Sequence, residues 1–195
     1  RIHSSYESGS DKVLALIEKG CTQEEQIIGG RKVREAGIEL SIYFMPGVGG
    51  RELSDDNAIE TAKVINAVNP NFVRLRTFVL RTGSLMEEVR DAGGWTEDTD
   101  MNALEIRKLL AHIDPTKANG RITSDHIINL LQEVNGDMDT DLPGCWNILI
   151  PSLPAQAGAE KISDGAPHGF PLDWKQLWRM RESDQKIVED LAKIS

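Results

Sequence analysis

The sequence has 195 residues, 39% of them hydrophobic and 27% charged, with a formal net charge of -9. That composition excludes a globally disordered chain, and the acidic balance argues against a protein that grips nucleic acid through its phosphates. No apolar run approaches the ~20 residues of a membrane helix and no signal-peptide pattern opens the chain, so a soluble, cytoplasmic protein without a membrane partner is expected.

The opening RIHSSYESGSDKVLALIEK reads as a strand over 1–6, a polar glycine turn, and a helix over 11–19 capped by Ser10 and closed by Gly20. Ligands of βα units sit beyond the C-terminal ends of the strands, so Glu7 is the first candidate for chemistry. With the strand at the very start, the chain is expected to open inside a fold, with further βα units ahead of Arg1.

A second helix follows at once. Thr22 and Glu25 have capping-box spacing, Ile27, Ile28 and Val33 give its apolar side, Arg31, Lys32 and Arg34 suit its C-terminal dipole, and Gly37 closes it. Residues 38–45, IELSIYFM, form a strand apolar enough for burial on both faces, with Glu39, Ser41 and Tyr43 sharing one side. After the Pro46-Gly47-Val48-Gly49-Gly50 turn, Ser54 caps a helix that carries Ala58, Ile59, Ala62, Val64, Ile65 and Val68 and stops at Asn69-Pro70; a third strand takes 72–80.

The three strands start near Ile2, Ile38 and Phe72, a βα period that implies right-handed crossovers and a parallel sheet. Beyond Gly83 the pattern changes to a short helix over 85–90, a helix over 101–113, and a helix capped by Ser124 that runs to about Val134 with Ile127, Ile128, Leu130 and Leu131 inside. An acidic loop follows at 137–141. Prolines and glycines crowd the next thirty or so residues, with one strand at 146–150, and an amphipathic helix over 172–194 carries Trp174, Leu177 and Trp178 on one side. The fold expected is α/β: three βα units over 1–90 as half of a barrel or open sheet, then a mostly helical, loop-rich extension over 91–195.

Among candidate sites, Gly47, Gly49 and Gly50 satisfy no phosphate-loop fingerprint, since Glu52 stands where the third glycine of GxGxxG belongs; a turn with positive φ is the plainer reading, though these glycines also let a flat ligand approach the backbone. Arg74 and Arg76 share a strand face. Inside a parallel strand they must either pair with Glu39 or Glu7 or hold an anion, because a buried lone cation costs several kcal/mol. His3, His112, His126 and His168 lack metal spacing, and Cys21 and Cys145 form no metal knuckle, so neither a metal site nor a catalytic nucleophile is read. His112 suits a helix C-terminus and His126 the first turn of the helix capped by Ser124.

ESGSDKVLALIEKG resembles the fourth-strand motif of radical S-adenosylmethionine enzymes, in the broad class of anaerobic coproporphyrinogen oxidases and methylthiotransferases; Lys19 stands twelve positions after Glu7, as the motif's basic residue does. GIELSIYFMPGVGG and NPNFVRLRTFVLRTGSLMEEV are similar to that family's fifth and sixth strands, and ITSDHIINLLQEVNG to a tail of one branch. The resemblance implies the C-terminal half of a partial (β/α)6 TIM-like barrel, with Glu7 and Ser8 at bound S-adenosylmethionine, Lys19 on its carboxylate, Met45, Pro46 and Gly47 beside its adenine, and Ser41 near by. It also implies a [4Fe-4S] cluster that reductively cleaves S-adenosylmethionine to a 5′-deoxyadenosyl radical. The CxxxCxxC that would hold this cluster is absent, so its ligands are expected upstream and this chain alone is expected to be inactive.

Arg74 and Arg76 are the candidate contacts for an anionic substrate. Two other readings stand beside this one: an ordinary βα-barrel enzyme acting on an anionic metabolite, and a non-catalytic interaction module docking through Trp174 and Trp178. Half a barrel leaves open sheet edges, through which the chain is expected to dimerise.

Overall fold

The computed structural model describes residues 1–142 together with 144 and 145, all within a single unit. Strands β1 (Ile2–Glu7), β2 (Leu40–Phe44), β3 (Phe72–Leu75) and β4 (Arg121–Thr123) run parallel, side by side in chain order, and β5 (Gly136–Asp137) pairs antiparallel with β4. Helices α1 (Asp11–Leu16) and α2 (Gln23–Glu35) connect β1 to β2, α3 (Gly50–Val68) connects β2 to β3, and α4 (Leu85–Asp91) and α5 (Thr99–His112) connect β3 to β4.

The period of two along each strand divides the sheet into two unlike faces. Leu40, Ile42, Phe44, Val73, Leu75 and Ile122 turn to one side and close a core with Ala58, Ala62 and Ile65 of α3 and Ile106, Leu109 and Leu110 of α5. Residues in register on the other side are His3 with Ser41, Tyr43 with Arg74, and Arg74 with Thr123. Burial of both faces of β2 holds except at Tyr43, which is half-buried and shares its side with the buried Ser41.

The local chemistry of α2 follows its sequence. Thr22 and Glu25 form the reciprocal capping box, and Gly37, at φ 70, turns the chain out of the helix. Ile28, expected inside, is 47% exposed, while Gln26 and Gly30 are buried. The reason is Tyr6, whose hydroxyl donates to Gln26 O at 2.8 Å and approaches so near Gly30 that a Cβ there would meet it at 2.6 Å.

Helix α3 begins at Gly50, so Ser54 is a buried residue within it and not its cap. Helix α1 stops at Leu16, short of Lys19, in a left-handed cap centred on Glu18 (φ 51) where Gly20 was expected to serve. The amides of Lys19 and Glu18 donate to Leu14 O and Ala15 O, the paired bonds of a Schellman turn. The β3 ladder ends at Leu75, though the amides of Arg76 and Phe78 continue to donate to Phe44 O and Pro46 O.

The larger correction lies beyond residue 90. The three expected parallel strands become four, because β4 pairs with β3 in the stretch ahead of the anticipated helix. Gly120 permits that approach: a Cβ there would stand 2.0 Å from Pro70 O. Nor does a helix follow Ser124. Its hydroxyl donates to Leu131 O, and Ile127, Ile128 and Leu130 are 86%, 46% and 50% exposed on the loop that replaces the helix. Helix α5 contributes Ile106, Leu109 and Leu110 to the core that residues of 1–90 begin, and β4 extends their sheet. The strand expected at 146–150, the rest of the proline-rich stretch, His168 and the helix over 172–194 with Trp174, Leu177 and Trp178 lie outside the described residues.

Candidate functional site

The polar side of the sheet and the C-terminal ends of its strands gather the charged candidates. At the end of β1 a register shift between Ser4 and Glu7 bulges the strand, and Glu7 takes a left-handed φ of 66. Its carboxylate accepts from the Ser5 hydroxyl at 2.6 Å and pairs with Lys19 Nζ at 3.1 Å, while Lys19 also donates to Ser5 Oγ at 3.4 Å. Both charged side chains are about a fifth exposed, 22% for Glu7 and 23% for Lys19. Lys19 closes the Schellman turn at Glu18 through its own amide, just past the end of α1.

Between these two residues the Ser8-Gly9-Ser10 turn is occupied with itself. Ser8 is fully buried and its hydroxyl accepts from the Ser10 amide at 3.0 Å; Ser10 Oγ caps α1 on the Val13 amide. Gly9 rests directly on α3, where a Cβ would stand 2.6 Å from Thr61 Cα and 2.7 Å from Glu60 O, and its amide donates to Thr61 Oγ1 at 2.7 Å. The glycine of this motif is therefore accounted for by helix packing.

The turn after β2 is joined to the first by the Met45 amide, which donates to Glu7 O at 2.8 Å. Pro46 is buried, and Gly47 has φ 87 with its missing Cβ directed at Asn102, 2.5 Å from Oδ1. Gly50 (φ 62) is covered in the same way by Trp95. The side chains of Asn102 and Trp95 thus stand where a Cβ at Gly47 or Gly50 would lie.

Beneath this turn lies a carboxyl group that sequence reasoning missed. Glu105 of α5 is 2% exposed; its Oε1 accepts from the Gly47 amide at 3.1 Å and from Asn57 Nδ2 at 2.7 Å, and Ser54 hydrogen-bonds it as well. Burial pushes this carboxyl up to about 7, against the opposing pull of those three hydrogen bonds, and the charge of Asp55 pushes the same way. Glu105 Oε2 and Asn57 Oδ1 are both buried without a partner. Burial therefore favours the protonated form, a carboxylic acid able to donate from Oε2. The available signal was its place one residue before Ile106 and three after Asn102, on the apolar stripe of α5.

Arg74 and Arg76 pair with neither of the partners expected for them. Glu39 is taken by Arg1 and Glu7 by Lys19, and both arginines turn to Asp125, Arg74 Nη1 at 3.2 Å from Oδ2 and Arg76 Nη1 at 3.1 Å from Oδ1. Burial alone would raise the Asp125 carboxyl; the Arg76 hydrogen bond and the charges of both arginines outweigh it and hold it below the ordinary value. The Arg76 guanidinium also lies over the Tyr43 ring, 4.9 Å from its centroid, and Tyr43 stacks with His3 at 6.3 Å. On this bed Ser41 Oγ, Arg74 Nε and Thr123 Oγ1 are buried without hydrogen-bond partners.

The structure thus brings Glu7, Lys19 and Met45 together at the ends of β1 and β2, and Arg74 and Arg76 together with Tyr43. Ser41 lies within the strand bed, and Ser8 and Pro46 face the interior. His112 occupies the last turn of α5, and His126 stands in a loop, not in a helix's first turn. Among the described residues no group of three or more His, Cys, Asp or Glu side chains could hold a metal ion, and no helix is long and apolar enough to cross a membrane. Cys21 and Cys145 are free thiols and are the chain's two cysteines, too few for a cluster held by three thiolates.

No family model matches the sequence, and no curated protein does. Among solved structures, the archaeal Methanocaldococcus infernus Elp3 with an N-terminal deletion (1-46) is similar with a TM-score of 0.49 at 19% identity, over 65% of this chain and 30% of that one. The chain spans less than a third of that structure.

Proposed function

We propose that this chain is the C-terminal part of the barrel of a radical S-adenosylmethionine enzyme, with Glu7 and Lys19 gripping the amino-acid end of S-adenosylmethionine, Ser8 and Ser41 near by, and the 45–47 turn beside the adenine. The observation that carries the reading is the Glu7–Lys19 pair, 3.1 Å apart and partly exposed at the end of the first strand, within the ESGSDKVLALIEKG motif. A carboxylate beside an ammonium is the complement of an α-ammonium beside an α-carboxylate, so these residues fit the amino-acid end of S-adenosylmethionine. Bound at a reduced [4Fe-4S] cluster, that cofactor supplies radical hydrogen abstraction. The two cysteines of this chain do not fit the cluster, which takes its ligands from outside it. What the chain's own residues do is bind and orient: Glu7 accepts from the ammonium, Lys19 neutralises the carboxylate, and Arg74 and Arg76 receive an anionic substrate. The edge of β1 is where a second copy would pair.

Isothermal titration of the 195-residue chain with S-adenosylmethionine tests this. Binding is expected, with Lys19→Ala weakening it about tenfold or more, the worth of one charge-assisted hydrogen bond. No binding, or binding that ignores both Lys19→Ala and Glu7→Gln, overturns it. The arginine pair by itself would equally serve an ordinary βα-barrel enzyme for an anionic metabolite, in which Lys19→Ala leaves anion affinity untouched.

A further inference from the structure

The arginine pair carries more information than its charge, because something already sits on it. Asp125 presents one carboxylate oxygen to each guanidinium, at 3.2 Å to Arg74 and 3.1 Å to Arg76. It is also the most exposed member of the trio, its side chain 45% exposed against 24% and 20% for the arginines. A bridging carboxylate defines what the pair accepts: a planar group that gives one oxygen to each guanidinium. Two guanidiniums against one carboxylate leave one positive charge over.

The groups that Asp125 leaves unpaired lie on the same bed. Arg74 Nε, Thr123 Oγ1 and Ser41 Oγ are buried without partners, and Ser41 is 0% exposed. Arg74 and Thr123 face each other in register across β3 and β4, and Ser41 lies on the same side of neighbouring β2. Leaving a buried donor without a partner is costly, so three together on one face point to a ligand that supplies acceptors there.

The loop bearing Asp125 is fastened independently of it. Asn129 Nδ2 donates to Leu75 O and to Ser124 Oγ, both at 3.0 Å, Asn129 Oδ1 accepts from the Thr77 amide at 3.0 Å, and the Leu130 amide donates to Thr77 Oγ1 at 3.1 Å. Loss of the Asp125 carboxylate therefore leaves the loop latched to the end of β3.

We propose that Asp125 is a built-in competitor, its carboxylate occupying the arginine pair that receives a carboxylate of the substrate, so that a carboxylic acid enters by displacing Asp125 and gives further acceptors to Arg74 Nε, Thr123 and Ser41. The inference rests on reading Arg74 and Arg76 as the substrate-anion site. It commits the ligand to a carboxylate over a phosphate and makes Asp125 a residue that lowers affinity.

The test is a titration of the 195-residue chain with malonate, and separately with inorganic phosphate, at low salt and neutral pH, following the arginine Nε–Hε resonances by NMR. Malonate is expected to shift the Arg74 signal, Asp125→Asn to tighten binding about three- to tenfold by removing a competing pair of modest strength, and Arg74→Gln to abolish it. Asp125→Ala repeats the gain without an amide oxygen that could hold the arginines. If malonate binds and needs Arg74 but neither Asp125 variant tightens it, the competitor is overturned while the anion site stands. If neither anion perturbs Arg74 or Arg76 in any form of the chain, the anion site falls and the competitor with it. A gain for phosphate that equals or exceeds the gain for malonate overturns the carboxylate assignment.

Discussion

Glu105→Gln isolates the acid beneath the Gly47 turn. A rise from 4.5 to about 7, at about 1.4 kcal/mol per unit, makes the ionised form about 3 kcal/mol less favourable in the folded protein than in the unfolded chain. Because the folded state holds the proton more tightly, the group's contribution is fully present below 4.5, declines as pH rises toward 7, and is gone above it. Glutamine mimics the protonated acid: it carries no charge, and its oxygen can keep the Gly47 and Asn57 donors. Urea unfolding between about pH 5 and about pH 8 should show the parent losing about 2–3 kcal/mol that Glu105→Gln does not lose, with the variant the more stable at the alkaline end. Asp55, whose charge adds to the rise, is exposed and paired with Lys108, so it shapes the size of the effect but not its sign. The lowered carboxyls Asp114 and Asp125 titrate below 3.8, outside this window, and should contribute equally to both proteins. Parallel pH profiles for the two would refute a protonated Glu105.

Asn129→Ala removes three hydrogen bonds from a buried side chain and leaves the Thr77 amide and Leu75 O short of partners. A loss of about 2–3 kcal/mol in denaturant unfolding is expected, and a loss within the error of the measurement would mean the loop is not latched there. Gly9→Ala should be worse than Gly20→Ala, although Gly9 has the more ordinary backbone. A Cβ at Gly9 strikes the α3 backbone at 2.6 Å, whereas at Gly20 (φ 75) it meets nothing within 4 Å and bears only left-handed strain. Thermal melts should therefore rank Gly9→Ala below Gly20→Ala, by more than the ~1 kcal/mol of that strain; the reverse order would remove helix packing as the reason for this glycine.

What the sequence disclosed follows the range of the interactions. The capping box at Thr22 and Glu25, the Gly37 exit and the stop at Asn69 are each written within a few residues, and all were legible. Strands β1 to β3 were legible through their spacing. β4 was not, because three residues carry no period and its place comes from pairing with Phe72, Val73 and Arg74 far back in the chain. The run Ile127, Ile128, Leu130, Leu131 has a helical pattern, but Asn129 and Asn135 supply backbone partners from their side chains, the competition that keeps such residues out of helices. The same distance hid the site. The arginines' partner, Asp125, is 49 residues from Arg76, and nothing near the arginines in sequence points to it.

Two non-glycine residues close to the first turn, Glu7 (φ 66) and Glu18 (φ 51), hold left-handed backbone, and they do so for different reasons. Such a residue costs about 1–3 kcal/mol where glycine would cost little. At Glu18 the conformation is that of a helix cap, and the bonds that depend on it are backbone bonds that glycine would make equally well. At Glu7 glycine would delete the carboxylate that binds Lys19 and Ser5. A partly exposed ion pair contributes about 0–1 kcal/mol, which does not offset the strain. Stability of the fold therefore does not account for a glutamate at this position. The contact with a ligand proposed for its carboxylate would account for it, and on that ground, more than on the shape of the sheet, Glu7 leads the proposed site.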